Sequence, residues 1–87
     1  MSVNRNNGNK TETTLDQMEP ESKGRVVRVA GAGGARRRIL DMGVVPGAEI
    51  EVIRRAPLGD PIEFRVKGYN LSFRRSEAKL ISVKLEI

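Results

Sequence analysis

The segment with the strongest chemical character is rich in glycine and leads directly into a run of arginines. Residues 31–34 are Gly-Ala-Gly-Gly, and Arg36 opens a triplet of arginines that continues to position 38. Glycines before a helix, with cations just inside it, can cradle a phosphate group. The spacing departs from known phosphate motifs, because a dinucleotide fingerprint needs Gly or Ala where Arg36 stands and no Gly-Lys-Ser/Thr sequence occurs. A sharp turn from strand to helix is the favoured interpretation, and an anion site is the alternative.

The arginine triplet also allows two interpretations. Successive helical residues point about 100° apart, so three arginines in a row cannot share one face of a helix. Arg37 lies four residues before Asp41, which is the spacing of a helical ion pair. Arg36 and Arg37 therefore form either a solvated helix face, which is the favoured interpretation, or a docking patch for an acidic partner.

The carboxylates that could do chemistry are Asp60, which stands between Gly59 and Pro61, and the alternating pair Glu49 and Glu51. Paired carboxylates bind hard cations or act as acids and bases. A structural role explains them more simply. Asp60 is typical of a turn residue that bonds its own backbone, and the two glutamates are typical of the solvent side of a strand. We therefore predict no metal site at these carboxylates.

The chain contains no His, no Cys and no Trp. Without His and Cys it has no Cys–His or Ser–His pair and no disulfide framework. Zinc, copper and iron–sulfur sites lose their usual nitrogen and sulfur ligands, so only oxygen donors are left. We predict that the protein is not an enzyme and that it has neither catalytic residues nor a cofactor.

The positive charge belongs to the part of the chain that is predicted to fold. The 87 residues include 16 Lys and Arg against 11 Asp and Glu, a net charge of +5. Sequence-tolerant binding of nucleic acid needs aromatic side chains along a basic groove. The aromatic residues are Phe64, Tyr69 and Phe73, and both phenylalanines lie on predicted core faces. No nucleic acid is therefore expected as a partner, and a nucleic-acid-binding barrel is kept as the alternative function.

The sequence also predicts a cytoplasmic location. No run approaches the about 20 apolar residues of a membrane span. Residues 1–13 have no apolar stretch of the kind found in a signal peptide. Contact with a membrane is therefore expected only through a partner.

Hydrophobic periodicity predicts a tail, one short helix and short strands. Residues 1–13 are polar and bury too little surface to offset their ordering entropy, so we predict a disordered tail. A helical turn is predicted at residues 14–18 with Thr14 as its cap, and another at 75–80 with Ser76 as its cap. The main helix is predicted at 35–42. Alternating apolar residues predict strands around positions 24–30, 48–53, 62–67, 71–73 and 81–87.

These elements predict an all-β fold with one short helix, a small closed barrel of about five strands spanning residues 14–87. A sandwich needs more strands, and closure removes the exposed edges of a short sheet. The predicted core consists of aliphatic and phenylalanine side chains: Val27, Val29, Ile39, Leu40, Met42, Ile50, Val52, Ile62, Phe64, Val66, Leu71, Phe73, Ile81 and Val83.

Four stretches resemble the FeoA family in their order and spacing. Residues 38–47 resemble the family's Leu-x-x-Met-Gly-x-x-Pro-Gly stretch, and residues 56–61 resemble its Ala-Pro-Leu-Gly-Asp-Pro. Residues 68–75 are similar to its Gly-Tyr-x-Leu-Ser-Leu-Arg, and Glu77 and Ala78 sit where the family's Glu-Ala follows. The resemblance covers about residues 15–83.

The resemblance implies an SH3-like barrel, a FeoA-like domain over residues 14–87, and a function. That function is a small cytosolic accessory protein of ferrous iron uptake, which binds and modulates the cytosolic G-protein domain of the FeoB permease. The same domain type occurs at the C-terminus of metal-dependent transcriptional repressors. This chain has no helix-turn-helix region, so the freestanding form is favoured over a relative of that repressor domain. An iron-binding chaperone is a further alternative, for which oxygen ligands alone predict weak binding.

As partner-binding groups we predict the exposed ends of the turns and of the helix. Leu58 is notable because a large apolar residue in a polar turn can serve as an interface anchor. It can equally fold back over the mouth of the barrel, and both interpretations stay open. The predicted contact residues are Arg36, Arg37, Leu58, Asp60, Tyr69, Arg74 and Arg75.

Overall fold

The computed structural model describes residues 11–86 of the chain. Most of the predicted tail at residues 1–13 therefore lies outside the described residues. Glu12 and Thr13, which the sequence placed in that tail, belong to a strand instead. The predicted boundary between tail and domain at position 14 falls within this strand.

Six strands and three short helical segments follow one another along the chain. Strand β1 (Glu12–Thr14) leads into a 3-10 helix (Leu15–Gln17) and then into β2 (Lys23–Val29). Helix α1 (Gly34–Asp41) separates β2 from β3 (Glu49–Arg55). The remaining elements are β4 (Ile62–Val66), β5 (Tyr69–Phe73), α2 (Arg75–Ala78) and β6 (Ile81–Leu85).

The strands form one antiparallel sheet in the order β1-β6-β2-β3-β4-β5. The all-β fold with a short helix is confirmed, but six strands replace the predicted five and the described sheet is not closed, since β1 and β5 are not paired. The additional strand is β1, whose polar sequence gave no alternation to detect. It is held by its pairing with β6, and the backbone N–H of Leu85 donates to the carbonyl oxygen of Thr11 at 2.6 Å.

The inner face of the curved sheet holds a single core. Phe64 and Phe73 belong to this core, with ring centroids 4.7 Å apart. Buried aliphatic side chains of β2, β3, β4, β6 and α1 complete it. The fully buried aliphatic side chains include Ile39, Val44, Ile50, Val52, Ile62, Val66, Ile81 and Val83. Leu40, Met42 and Leu71, which were predicted in the core, are half-buried and pack against it.

One core assignment was wrong. The alternating pattern placed Val27 inside, whereas Val26 is buried and Val27 is half-buried. A register shift between Val26 and Arg28, where β2 pairs with β6, breaks the alternation of inward and outward side chains. Sequence alternation assumes an uninterrupted pleat, and so it assigned the wrong valine to the core.

The 3-10 helix and α2 contact each other and pack against the sheet, the 3-10 helix on β6 and α2 on β5. The 3-10 helix buries Leu15, and α2 buries Ala78. Thr14 occupies the predicted N-cap position of the 3-10 helix, but its hydroxyl donates to the carboxylate of Asp16 and caps no backbone N–H. The prediction for Ser76 is wrong, because Ser76 lies inside α2, whose N-cap residue is Arg74. No helix among the described residues is long and apolar enough to cross a membrane.

Candidate functional site

Leu58 is the most exposed large apolar side chain of the described residues. It lies in the turn between β3 and β4, and 93% of its surface is accessible to solvent. The alternative in which Leu58 folds back over the mouth of the barrel is therefore wrong. A leucine in this position contacts almost nothing of its own chain, so its apolar surface is available to a partner.

The turn that carries Leu58 is held by backbone hydrogen bonds. The N–H of Gly59 donates to the carbonyl oxygen of Ala56 at 2.7 Å, and the N–H of Ala56 donates to that of Pro61 at 3.0 Å. Two prolines, at positions 57 and 61, flank the leucine and restrict the backbone further. The backbone that carries the exposed Leu58 side chain is therefore ordered.

Asp60 joins this turn to α2. Its Oδ1 accepts a hydrogen bond from the backbone N–H of Arg75 at 3.0 Å. The interpretation of Asp60 as a turn residue that bonds its own backbone is therefore wrong: the partner lies fifteen residues further along the chain. Because its carboxylate accepts a hydrogen bond from the first N–H of α2, Asp60 links the β3–β4 turn to that helix.

The link joins the turn that carries Leu58 to the segment that carries two of the predicted arginines. Leu58 is two residues from Asp60, so their Cα atoms are at most about 7 Å apart. Arg74 lines a shallow depression together with Asp60 and Pro61, and Arg75 follows it directly. We call Leu58, Arg74 and Arg75 the Leu58 patch.

The four predicted contact arginines differ from most other arginines of the described residues because they form no ion pair. Arg36, Arg37, Arg74 and Arg75 are all exposed, and none of them forms an ion pair within residues 11–86. The half-buried Arg55 donates to backbone carbonyl oxygens. The other arginines of these residues pair with carboxylates: Arg25, Arg28, Arg38, Arg54 and Arg65.

The two arginines on α1 differ in their attachment. The Nε of Arg36 donates to the carbonyl oxygen of Val29 at 3.1 Å, so its side chain also ties α1 to the end of β2. Arg37 is exposed and forms no ion pair with Asp41, contrary to the interaction that the four-residue spacing allowed. The glycines before α1 turn the chain as predicted, with φ of +88° at Gly31 and +79° at Gly33.

An ion pair that was not predicted from the sequence joins α1 and α2. The guanidinium of Arg38 contacts the carboxylate of Glu77, which also accepts a hydrogen bond from the backbone N–H of Arg74 at 3.0 Å. Glu77 stands three residues after Arg74, at the spacing of a capping box, and that spacing is the signal that could have identified it. Through Glu77, α1 is connected to the helix that carries the Leu58 patch.

Tyr69 stands apart from the Leu58 patch. In the β4–β5 hairpin, Ile62 pairs with Phe73 and Val66 pairs with Tyr69, so Tyr69 lies at the opposite end from Arg74. The length of β5 separates these two ends by about 13 Å at about 3.3 Å per residue. Tyr69 is 70% exposed, but the structure does not bring it together with Leu58.

The described residues 11–86 contain no group of three or more Asp and Glu side chains placed to hold a metal ion. Their most buried carboxylate, Asp16, accepts hydrogen bonds from Thr14 and from the side-chain amide of Gln17. Asp16 therefore has a structural role beside the 3-10 helix.

Comparison with known proteins identifies the family. The sequence profile of the FeoA domain matches residues 13–85. The chain belongs to the FeoA family. A FeoA-family relative from Porphyromonas gingivalis (strain ATCC BAA-308 / W83) is 44% identical over 71 residues, which are 82% of this chain. That relative is a fusion of Fe(2+) transport protein A with the Fe(2+) transporter FeoB, and the matched region is 8% of its length.

Solved structures of FeoA proteins share the fold. A FeoA-like protein from Clostridium acetobutylicum is 43% identical and superposes with a TM-score of 0.82, covering 88% of this chain and 90% of its own. FeoA from Stenotrophomonas maltophilia, solved with zinc and described as a prokaryotic SH3 domain protein, is 26% identical with a TM-score of 0.75. That comparison covers 83% of this chain and 89% of the other. The predicted SH3-like fold is confirmed.

Proposed function

We propose that this FeoA-family protein is an accessory factor of ferrous iron uptake that binds a FeoB-type permease. The observation that carries the proposal is the fusion relative, in which a region 44% identical to this chain shares one polypeptide with a FeoB transporter. Two proteins that are joined in one chain are held at a high effective concentration, and such a connection supports association between them.

A domain that acts as a separate chain needs its own affinity for the partner. Without a tether, the free energy of association must come from the contact surface alone. An exposed leucine and four exposed arginines without ion pairs provide apolar area and charge for such a contact. The proposed contact residues are therefore Arg36, Arg37, Leu58, Arg74 and Arg75, with Asp60 holding the turn in place.

The proposed target is the cytosolic G-protein domain of the permease, and the proposed effect is modulation of its state. A binding protein shifts a conformational equilibrium only if it binds one conformation more tightly than the other. We therefore expect the affinity for the G-protein domain to differ between its nucleotide states.

A protein partner is favoured over nucleic acid by the position of the aromatic rings. Phe64 and Phe73 are buried, which leaves Tyr69 as the exposed aromatic residue of the described chain. One ring at the start of β5 does not form the row of stacking platforms that single-stranded nucleic acid requires.

The test is titration calorimetry of the purified chain with the cytosolic domain of a FeoB-type permease, in the absence of nucleotide and with GDP or a non-hydrolysable GTP analogue. We expect binding whose affinity depends on the nucleotide. The double variant R36E/R37E should bind at least about tenfold more weakly, a loss of about 1.4 kcal/mol. The control K23E/K84E changes the same number of charges on β2 and β6 and should bind like the wild type. An absence of binding in every nucleotide state would contradict the proposal.

A further inference from the structure

The turn between β3 and β4 has a more specific role that rests on the proposed function. We infer that the Leu58 patch inserts into an apolar pocket rimmed by carboxylates on the cytosolic domain of the permease. We further infer that Asp60 is the positioning residue that holds the patch in its binding shape before contact. The partner's chemistry follows from the exposure, the order and the charge of the patch.

The exposure of Leu58 defines the centre of the contact. With 93% of its surface accessible, the side chain projects away from the domain. Its apolar surface is removed from water only when a partner covers it. A single projecting leucine fits a pocket of matching size and not a flat surface, because a pocket can surround the side chain on all sides.

The order of the turn reduces the cost of binding. The hydrogen bonds between Ala56 and Gly59 and between Ala56 and Pro61 fix the backbone on both sides of Leu58. Less conformational entropy is lost on association when a loop already has its bound conformation. The turn is therefore suited to present the leucine directly and does not need to fold around the partner.

Asp60 fixes the leucine relative to the arginines. Its hydrogen bond to the backbone N–H of Arg75 crosses from the turn to α2. The second anchor of α2 is Glu77, which accepts from the N–H of Arg74 and contacts Arg38 on α1. Removing the Asp60 carboxylate frees the turn from α2 while the side chains of Leu58, Arg74 and Arg75 remain unchanged.

The charges around the patch specify an acidic rim. Arg54 on the neighbouring strand is paired with Glu63 at 3.0 Å, and the carboxylate of Asp60 is turned to the α2 backbone. Arg74 and Arg75 therefore keep their positive charge available, without an ion pair in the described chain. Guanidinium groups bind carboxylates through paired hydrogen bonds, so aspartates and glutamates fit the edge of the pocket.

A fluorescent reporter tests where the partner binds. The chain contains no cysteine, so L58C gives a single site for an environment-sensitive label, and K84C on β6 gives a matched control. On addition of the permease's cytosolic domain, we expect a blue shift of the label at position 58 and no shift at position 84. If the wild type binds but the label at position 58 does not respond, the Leu58 patch is not the contact and this inference fails while the proposed function stands. If the wild type does not bind at all, the proposed function fails as well.

Vesicles distinguish a protein pocket from a lipid surface. A basic patch with a projecting leucine can also contact anionic lipid, so the labelled L58C protein is mixed with phosphatidylglycerol vesicles in a parallel experiment. No shift is expected there. A shift with the vesicles and none with the cytosolic domain would assign the patch to the bilayer and overturn the inference.

Substitutions separate contact from positioning. R74E/R75E should weaken binding at least about tenfold and reduce its dependence on salt concentration.

D60A should also weaken binding, mainly through a slower association rate, whereas D60N keeps a side-chain acceptor and should restore most of the affinity. Circular dichroism of each variant checks that it is folded. Equal affinities of D60A, D60N and the wild type would show that Asp60 does not position the patch.

Discussion

The guanidinium of Arg55, at the end of β3, donates hydrogen bonds to the carbonyl oxygens of Asp16, at 2.8 Å, and of Met18. These carbonyls belong to the 3-10 helix and to the residue that follows it, which are not part of the strand pairing of the sheet. Buried backbone carbonyl oxygens need hydrogen-bond donors, and Arg55 supplies donors to two of them. The Arg55 side chain thus links the 3-10 helix to the end of β3.

Loss of this contact should lower stability. We expect R55A to reduce the free energy of unfolding by about 1–3 kcal/mol, because two half-buried carbonyl oxygens lose charged donors. Urea denaturation followed by circular dichroism measures the change. Arg54 is the matched control: its side chain is 78% exposed and paired with Glu63, so R54A should cost less than about 1 kcal/mol. An equal effect of both substitutions would show that Arg55 does not hold the 3-10 helix.

Alanine substitutions at two glycines should have different effects on the stability of the protein. A Cβ on Gly24 would meet Val83 Cγ1 and lie 2.7 Å from the carbonyl oxygen of Lys84, because β2 and β6 approach closely there. We expect G24A to destabilise the protein by about 1–3 kcal/mol. Gly34, in α1, has no neighbour within 4 Å of such a Cβ, so G34A should be neutral or stabilise by up to about 1 kcal/mol. Thermal melts of both variants give the comparison.

The regular parts of the fold were predictable, and the reasons are local. Alternating residues such as Ile50 and Val52 mark strands, and the apolar spacing around Ile39 marks α1, whose observed bounds differ by one residue from the prediction. β1 was missed because strand pairing, and not its own polar sequence, orders it. The bulge in β2, which buries Val26 instead of Val27, depends on the partner strand and leaves no pattern in the sequence.

The candidate site was predictable by residue type but not by arrangement. The expectation that the ends of the turns and of the helix are exposed singled out Leu58 and the arginines, and these residues are exposed. Which arginines lack an ion pair depends on which carboxylates the fold brings near, as the contact of Arg38 with Glu77 shows. The bond from Arg75 to Asp60 spans fifteen residues and requires the β4–β5 hairpin between them. Such contacts follow from the tertiary fold.

Glu77 should contribute more to the stability of the protein than its ion pair with Arg38 alone would. Its side chain is 14% exposed and contacts both Arg38 and the N–H of Arg74. We expect E77A to reduce the free energy of unfolding by about 1–2 kcal/mol, since it removes a helix cap together with an ion pair. R38A, which removes only the more exposed partner, should cost less than about 1 kcal/mol. A double-mutant cycle over the two positions, measured by urea denaturation, separates the ion pair from the cap; equal effects of the two single variants would contradict the cap.

R36A and R37A should differ in their effect on the stability of the protein, but both should weaken binding. R36A loses the hydrogen bond to the carbonyl oxygen of Val29 and should lower the free energy of unfolding by about 1 kcal/mol. R37A removes no ion pair of the described chain and should leave stability unchanged. Both should weaken binding to the permease's cytosolic domain. Calorimetry of binding together with thermal melts tests this, and wild-type affinity of both variants would contradict a contact through these two arginines.

The pairing of β1 with β6 has a consequence for how the domain can be attached to other polypeptides. Glu12 lies opposite Lys84, so the chain enters and leaves the fold side by side. A polypeptide joined before β1 and one joined after β6 would therefore attach at nearly the same place, on the side of the sheet farthest from β5 in strand order. Fusion at the front and fusion at the back are thus expected to have the same geometry.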